Sequence, residues 1–221
     1  MSRTVFITGG SRGIGLELCK KFKANGDTVV TSCRVLTPEL EALNIETIPN
    51  IDVTKGQDCQ TLKQLFNKRQ VDILINCAGL LHCETLEQMD FEDILRQFEV
   101  NSMAPLRVTH SLLNSLNHGS KVVIVTSRMG SIEDNSSGAY YGYRMSKAAV
   151  NMAGKSLAND LFHDGISVGL LHPGFVKTRM TNFSGDVTPE ESANNLFNRI
   201  EELTLQQSGS FIHANGQKLP W

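Results

Sequence analysis

No two of the five cysteines (Cys19, Cys33, Cys59, Cys77 and Cys83) stand at C-x-x-C spacing, and their number is odd. A secreted disulfide framework and a zinc site are thereby disfavoured, and the cysteines read as free thiols in a reducing compartment. Charge of one sign is lacking too. Lys and Arg number 21 against 23 Asp and Glu, a formal charge of −2, which leaves no basic stripe for a phosphate backbone and no polybasic segment for anionic lipid. Long apolar runs are missing as well: the stretch at residues 1–10 is far too short for a signal h-region, and no later run approaches membrane-spanning length. These absences lead us to expect a cytoplasmic protein with neither a nucleic-acid nor a membrane partner. With 221 residues, 40% of them apolar, the chain has ample material for a substantial core.

What is present is an alternation. Short β-branched apolar runs recur at 4–8, 28–32, 45–49, 72–76, 121–126, 166–171 and 211–213, and each reads as a buried parallel strand. Amphipathic segments near 14–25, 57–69, 88–116, 141–163 and 189–206 read as helices between them, with an abbreviated connection at 37–43. The last helix is announced by Thr188-Pro-Glu-Glu191, a capping box with proline at the first helical position. The pattern predicts an α/β fold: one domain, residues 1–221, built on a doubly wound, Rossmann-like parallel sheet of about seven strands with helices on both faces.

Directly after the first strand comes Thr8-Gly-Gly-Ser-Arg-Gly-Ile-Gly15, opening into a helical run. Glycines at a strand-to-helix turn let backbone approach a pyrophosphate, and a helix N-terminus supplies unpaired N–H groups and positive dipole. Gly9, Gly13 and Gly15 are spaced G-x-x-x-G-x-G, not the common dinucleotide fingerprint G-x-G-x-x-G. The second strand ends in Arg34, where an acid would hold the ribose 2′-hydroxyl of NAD. Arg12 in the turn and Arg34 across from it suit a 2′-phosphate instead, which points to NADP(H).

All three tyrosines fall in Ser137-Gly-Ala-Tyr-Tyr-Gly-Tyr-Arg-Met-Ser-Lys147. On a helix Tyr143 and Lys147 share a face, whereas Tyr141 points away. Tyr140 is expected on the same face but two turns from Lys147, about 10 Å of rise. A phenol of ordinary pKa near 10 is a poor acid-base group at neutral pH until a nearby ammonium stabilises its anion. Tyr143 is the tyrosine that Lys147 can tune.

The Thr8–Gly15 turn, Asn76-Cys-Ala-Gly79 and Tyr143-x-x-x-Lys147 together resemble the short-chain dehydrogenase/reductase family over essentially the whole chain, and the details are most similar to the sniffer-type carbonyl reductases and the C-factor branch. The resemblance implies an NADP(H)-dependent oxidoreductase acting on a small-molecule carbonyl. It makes Tyr143 the proton donor and Lys147 the group that lowers its pKa and holds the nicotinamide ribose. Asn101 then belongs to a proton relay, and Ser127 steadies the carbonyl oxygen. Ser131 is a rival to Ser127; extra residues are more easily absorbed in the loop at 132–138 than at a strand end. The resemblance further assigns Gly9, Ser11, Arg12, Gly13, Ile14 and Gly15 to the pyrophosphate turn, and Arg34, Asp52 and Val53 to the adenosine end. Asn76, Ala78 and Gly79 would line the cofactor, and Pro173, Gly174, Val176 and Thr178 would meet the carboxamide. Small and apolar residues on the helices at 88–116 and 141–163 (Ala148, Ala149, Met152, Ala153) lead us to expect a homodimer or homotetramer. A dinucleotide-binding signalling or interaction protein is the rival reading.

Overall fold

The computed structural model describes residues 2–221. Among them the sheet strands are β1 (Thr4–Thr8), β2 (Thr28–Ser32), β3 (Glu46–Ile48), β4 (Ile73–Asn76), β5 (Lys121–Val125), β6 (Ser167–His172) and β7 (Ser210–His213). All pair in parallel, in the order β3-β2-β1-β4-β5-β6-β7. The α-helices are α1 (Gly13–Ala24), α2 (Pro38–Glu41), α3 (Gly56–Phe66), α4 (Phe91–Phe98), α5 (Ala104–Ser111), α6 (Tyr141–Asp160) and α7 (Pro189–Glu202).

The central strands read as unbroken apolar runs because both of their faces are covered. Val5 and Ile7 face the layer that holds Leu18 and Phe22 of α1 and Leu196 and Ile200 of α7. Phe6, between them, faces the opposite layer, with Leu62 and Phe66 of α3 and Val108 of α5. The register Phe6↔Leu74 and Leu74↔Val122 carries that alternation from strand to strand. The chain winds outward through β1, β2 and β3, then crosses back to β4. The strand order therefore reverses between β1 and β4, and the crevice at their C-terminal ends is where such sheets bind ligands.

The segment expected as one helix at 88–116 is divided. α4 passes into a π-helical stretch, Glu99–Met103, before α5 begins, and a 3-10 turn at Leu113–Ser115 follows. Two local causes act at Asn101. Pro105, four residues on, has no N–H to donate to the Asn101 carbonyl. The Asn101 side chain is meanwhile drawn to a different loop, accepting from Leu80 N at 2.8 Å and donating to Leu80 O at 2.7 Å and Ser146 Oγ at 3.0 Å. Single π turns of this kind are frequent at functional sites. Tyr140 also departs from expectation: it precedes α6 in the left-handed region (φ 54°, ψ 41°), so helical spacing does not apply to it.

Candidate active site

The glycine turn occupies the mouth of the crevice. Gly9 has φ of +78°, and a Cβ on Gly15 would lie 2.3 Å from Gly9 O, so α1 can start this close to β1 only with glycine at these positions. Arg12 makes no side-chain cap to α1, and no acidic residue stands in the helix's first turn. The opening amides are therefore left for an anion. A Cβ on Gly13 would lie 3.5 Å from Thr178 Cγ2, which brings the segment after β6 across from the turn. The donor set fits a dinucleotide: helix-end amides for a pyrophosphate and free cations beside them. Arg12 and Arg34 are exposed and, among the described residues, neither is in an ion pair.

Arg34, Asp52, Thr54, Arg96, Glu99 and Val100 share a cleft of about 560 Å³ at the far end of this groove. Burial works against ionisation of Asp52, but hydrogen bonds from Thr54 and the charges of Arg34 and Lys55 hold its pKa below the usual carboxylate value. Its carboxylate accepts from the Thr54 amide at 3.1 Å and hydroxyl at 2.8 Å. Val53 is buried in the core. Asn76 turns its amide inward to Thr109 Oγ1, 3.2 Å away, which leaves only its backbone on the groove side. Thr8, at the end of β1, accepts from the amides of Cys77 and Ala78 at 3.1 and 3.3 Å, tying the turn before Gly79 to the glycine turn. Pro173 accepts from the Ser192 hydroxyl of α7 at 2.8 Å, and Val176 bridges to Val187, which folds the short loop at 178–186 back on itself.

Tyr143 and Lys147 lie one turn apart on α6, both buried, as 3.6-residue geometry requires. Lys147 Nζ is 5.6 Å from the Tyr143 ring centroid and donates to Val125 O at 3.0 Å. Burial pushes the Tyr143 phenol up to about 12, against the opposing pull of the Ser127 hydroxyl. Burial likewise pushes Lys147 down to about 8, with the Cys77 thiol opposing. The expected lowering of Tyr143 is not seen: desolvation of the phenolate dominates, and the Lys147 ammonium is engaged with Val125 O. At neutral pH the phenol carries its proton.

The two candidate serines separate by their partners. Ser127, at the end of β5, accepts from Met129 N at 3.1 Å, and its hydroxyl pulls against the upward shift of the Tyr143 phenol. Ser131 donates to Trp221 O at 3.2 Å and accepts from Asp134 N at 3.0 Å, so its hydroxyl is consumed in anchoring the loop. His172, at the end of β6, packs edge-on against His213 with centroids 4.7 Å apart, and burial drives it down to about 3. It is a neutral packing residue above that pH, with a buried Nδ1 that has no hydrogen-bond partner. Sequence reasoning missed Thr8 and Ser146, both of which hold site backbone or side chains in place. Thr8 was legible as the last residue of a strand entering the glycine turn; Ser146 carried no signal.

With this geometry in hand, likenesses to known proteins are informative. The short chain dehydrogenase family model matches residues 3–188. The chain is 38% identical to 1-hydroxy-2-glutathionyl-2-methyl-3-butene dehydrogenase of Rhodococcus sp. (strain AD45), covering 99% of both chains. It is 42% identical to C-signal of Myxococcus xanthus over 68% of this chain and 93% of that one. Among solved structures, the NADPH-bound carbonyl reductase from chicken fatty liver superposes with a TM-score of 0.90 at 26% identity, covering 100% of this chain and 99% of that one. Carbonyl reductase Sniffer of D. melanogaster superposes with a TM-score of 0.91 at 27% identity, with both chains fully covered. A glycine turn at a sheet's switch point, a Tyr-x-x-x-Lys pair on the helix after β5 and a family match over most of the sequence agree: the chain belongs to the short-chain dehydrogenase family of oxidoreductases.

Proposed function

We propose that the protein is an NADPH-dependent carbonyl reductase in which Tyr143 protonates the oxygen of a ketone, aldehyde or quinone. The observation that carries this reading is a buried, protonated phenol one helical turn from a buried lysine whose ammonium stands 5.6 Å from the ring centroid. Bound NADPH supplies the hydride. Tyr143 gives its Oη proton to the developing alkoxide, and Ser127 donates a hydrogen bond to the same oxygen. As the phenol loses its proton, the Lys147 ammonium stabilises the phenolate. The Asn101 carbonyl, lacking an amide donor at Pro105, serves as acceptor for a water that returns protons toward Lys147.

In this reading Gly9, Ser11, Gly13, Ile14 and Gly15 seat the pyrophosphate, while Arg12 and Arg34 pair with the 2′-phosphate. Asp52 and Val53 border the adenine through their backbone and stems. Asn76, Ala78 and Gly79 line the groove by backbone, and Pro173, Gly174, Val176 and Thr178 orient the carboxamide. The likeness to an NADPH-bound carbonyl reductase supports the choice of cofactor. We read the chain as one domain on one continuous sheet, acting in the cytoplasm; among the described residues no helix is long and apolar enough to cross a membrane.

The loop at 178–186 is too short to wall off a pocket, and Phe175, Met180 and Phe183 on and beside it are exposed. Bulky apolar carbonyls therefore suit the mouth, with weak selection among them. The Rhodococcus relative's own substrate, by its name, carries a glutathionyl group, in keeping with an open mouth. A panel of aromatic aldehydes, aromatic ketones and quinones should be reduced with kcat/KM values within about a hundredfold of one another. Sharp selectivity for one small polar carbonyl would contradict an open site.

The likeness to C-signal favours a second reading, a dinucleotide-binding signalling protein whose turnover is incidental. A complete set of Asn101, Ser127, Tyr143 and Lys147 weighs against it, since a sensor has no use for a proton donor. Self-association is part of the first reading. Phe91 and Leu95 on α4 and Met145 and Met152 on α6 are exposed apolar side chains on helices that pack together. Light scattering at micromolar concentration should give two or four times the 24.4 kDa chain mass; a monomer would refute the assignment.

A further inference from the structure

The approach to the catalytic helix is strained. Gly138, Ala139 and Tyr140, the three residues before α6, have φ of 65°, 50° and 54° in succession. Two of them carry a Cβ that disfavours the left-handed region, and such a run persists only where its surroundings over-determine it.

Two side chains do so. From the helix side Arg144 donates Nε to the carbonyls of Gly138 and Ala139, each at 3.1 Å, and Nη2 to Ser137 Oγ at 2.8 Å. From the other side comes Glu84, in the loop after β4, whose side chain is 2% exposed although it is a carboxylate. Its main-chain carbonyl accepts from Tyr140 N at 2.9 Å, and its carboxylate accepts from Gly142 N at 3.1 Å. These bonds bracket the first turn of α6, immediately before Tyr143. The second carboxylate oxygen accepts from Gln97 Nε2 of α4, a residue that is fully buried and whose Oε1 holds His82 N at 3.0 Å. A negative charge at this end of α6 also complements the helix dipole.

The fit leaves no slack. A Cβ on Gly142 would lie 2.8 Å from Gln97 Nε2, 3.0 Å from Glu84 Oε1 and 3.0 Å from Ile94 Cα, so the carboxylate sits between α4 and the backbone that carries Tyr143. Helix capping by itself asks for an exposed Ser or Asp at the N-cap. A glutamate brought from another element, buried and clamped by a buried glutamine, fixes position as well.

We propose that Glu84 is a positioning residue for the reaction: held by Gln97, it works with Arg144 to lock the left-handed turn at 138–140 and thereby sets where the Tyr143 hydroxyl meets its substrate. The proposal rests on the reading of Tyr143 as the proton donor. Neither Glu84 nor Arg144 is assigned contact with substrate or cofactor. Their effect is on the aim of the phenol, and a misplacement of about 1 Å at a reacting group is worth about a hundredfold in rate.

The test uses the full chain with NADPH and 4-nitrobenzaldehyde. Glu84→Gln keeps the side-chain shape and an acceptor for Gly142 N, but removes the charge and sets an amide against the Gln97 amide. We expect kcat to fall about tenfold to a hundredfold while the NADPH Kd, read by fluorescence titration, changes less than about threefold. Amide exchange in peptides spanning 138–146 should quicken by about tenfold, with peptides from β4 and β5 unchanged. Arg144→Gln, which frees the same turn without disturbing the buried carboxylate, should give the same split, and it carries the test if the Glu84 variant does not fold. Wild-type kcat and protection in either variant would overturn the proposal. So would a loss of NADPH affinity and of protection throughout the sheet, which would mark general fold support. Tyr143→Phe run alongside should be inactive with wild-type exchange. Were it active, the proton-donor reading would fail, and the exchange data would still decide whether Glu84 locks the turn.

Discussion

Tyr143→Phe should lower kcat by about two to four orders of magnitude, the range over which general acid catalysis operates. The substitution removes one oxygen and keeps the ring, so the buried packing of α6 against the sheet survives. NADPH affinity should change little, because the phenol is asked to hold a proton and not a phosphate. Tyr140→Phe and Tyr141→Phe should each retain near-normal turnover. Tyr140 lies outside the helix in a left-handed conformation, and Tyr141 is on another face. Ser127→Ala should damage the rate more than Ser131→Ala, since the Ser131 hydroxyl is spent on Trp221 O and Asp134 N. Steady-state rates of these five variants on one aromatic aldehyde check the set. An inactive Tyr141→Phe beside an active Tyr143→Phe would show that the acid has been misassigned.

Cofactor choice should show the next largest effect. Arg12 in the glycine turn and Arg34 just after β2 are, among the described residues, in no ion pair, and a 2′-phosphate brings nearly two negative charges into reach of both. NADPH should bind more tightly than NADH, and Arg12→Ala with Arg34→Ala should weaken NADPH by about a hundredfold while leaving NADH within about threefold. Because these guanidinium groups are exposed, the preference is a screened, charge-on-charge effect that shrinks as salt rises past about 0.1 M. Calorimetric titration of both cofactors at low and high salt decides the matter. Equal affinities, or a preference for NADH, would remove the two arginines from the account.

Much of this architecture is legible in the residues themselves. β1, β4 and β5 carry apolar runs at 5–7, 73–75 and 122–125 because helices cover both sheet faces, and the Tyr143–Lys147 pair follows from helical spacing alone. The parts that escape are set by partners remote in sequence. Asn101 breaks the helix near 88–116 because its side chain reaches Leu80, and no local propensity announces that pairing. The distinction between Ser127 and Ser131 waits on Trp221, 90 residues away. Tyr140 leaves the helix because Glu84 and Arg144 hold its neighbours in a left-handed turn, a balance invisible to periodicity. The Tyr143 shift runs opposite to expectation since burial, a property of the whole fold, is its largest cause. Sequence spacing thus locates the reactive side chains, while their electrostatics belong to the packed structure.

The central claim, that this site reduces carbonyls and does not merely hold a dinucleotide, is tested most directly by following NADPH absorbance and alcohol product together in a single turnover with excess enzyme and an aromatic aldehyde. We expect one alcohol formed for each NADPH oxidised by the wild-type protein, and neither change in the Tyr143→Phe variant. Tight NADPH binding with no oxidation by any aldehyde, ketone or quinone would contradict the enzyme reading and leave the dinucleotide-binding signalling protein in its place.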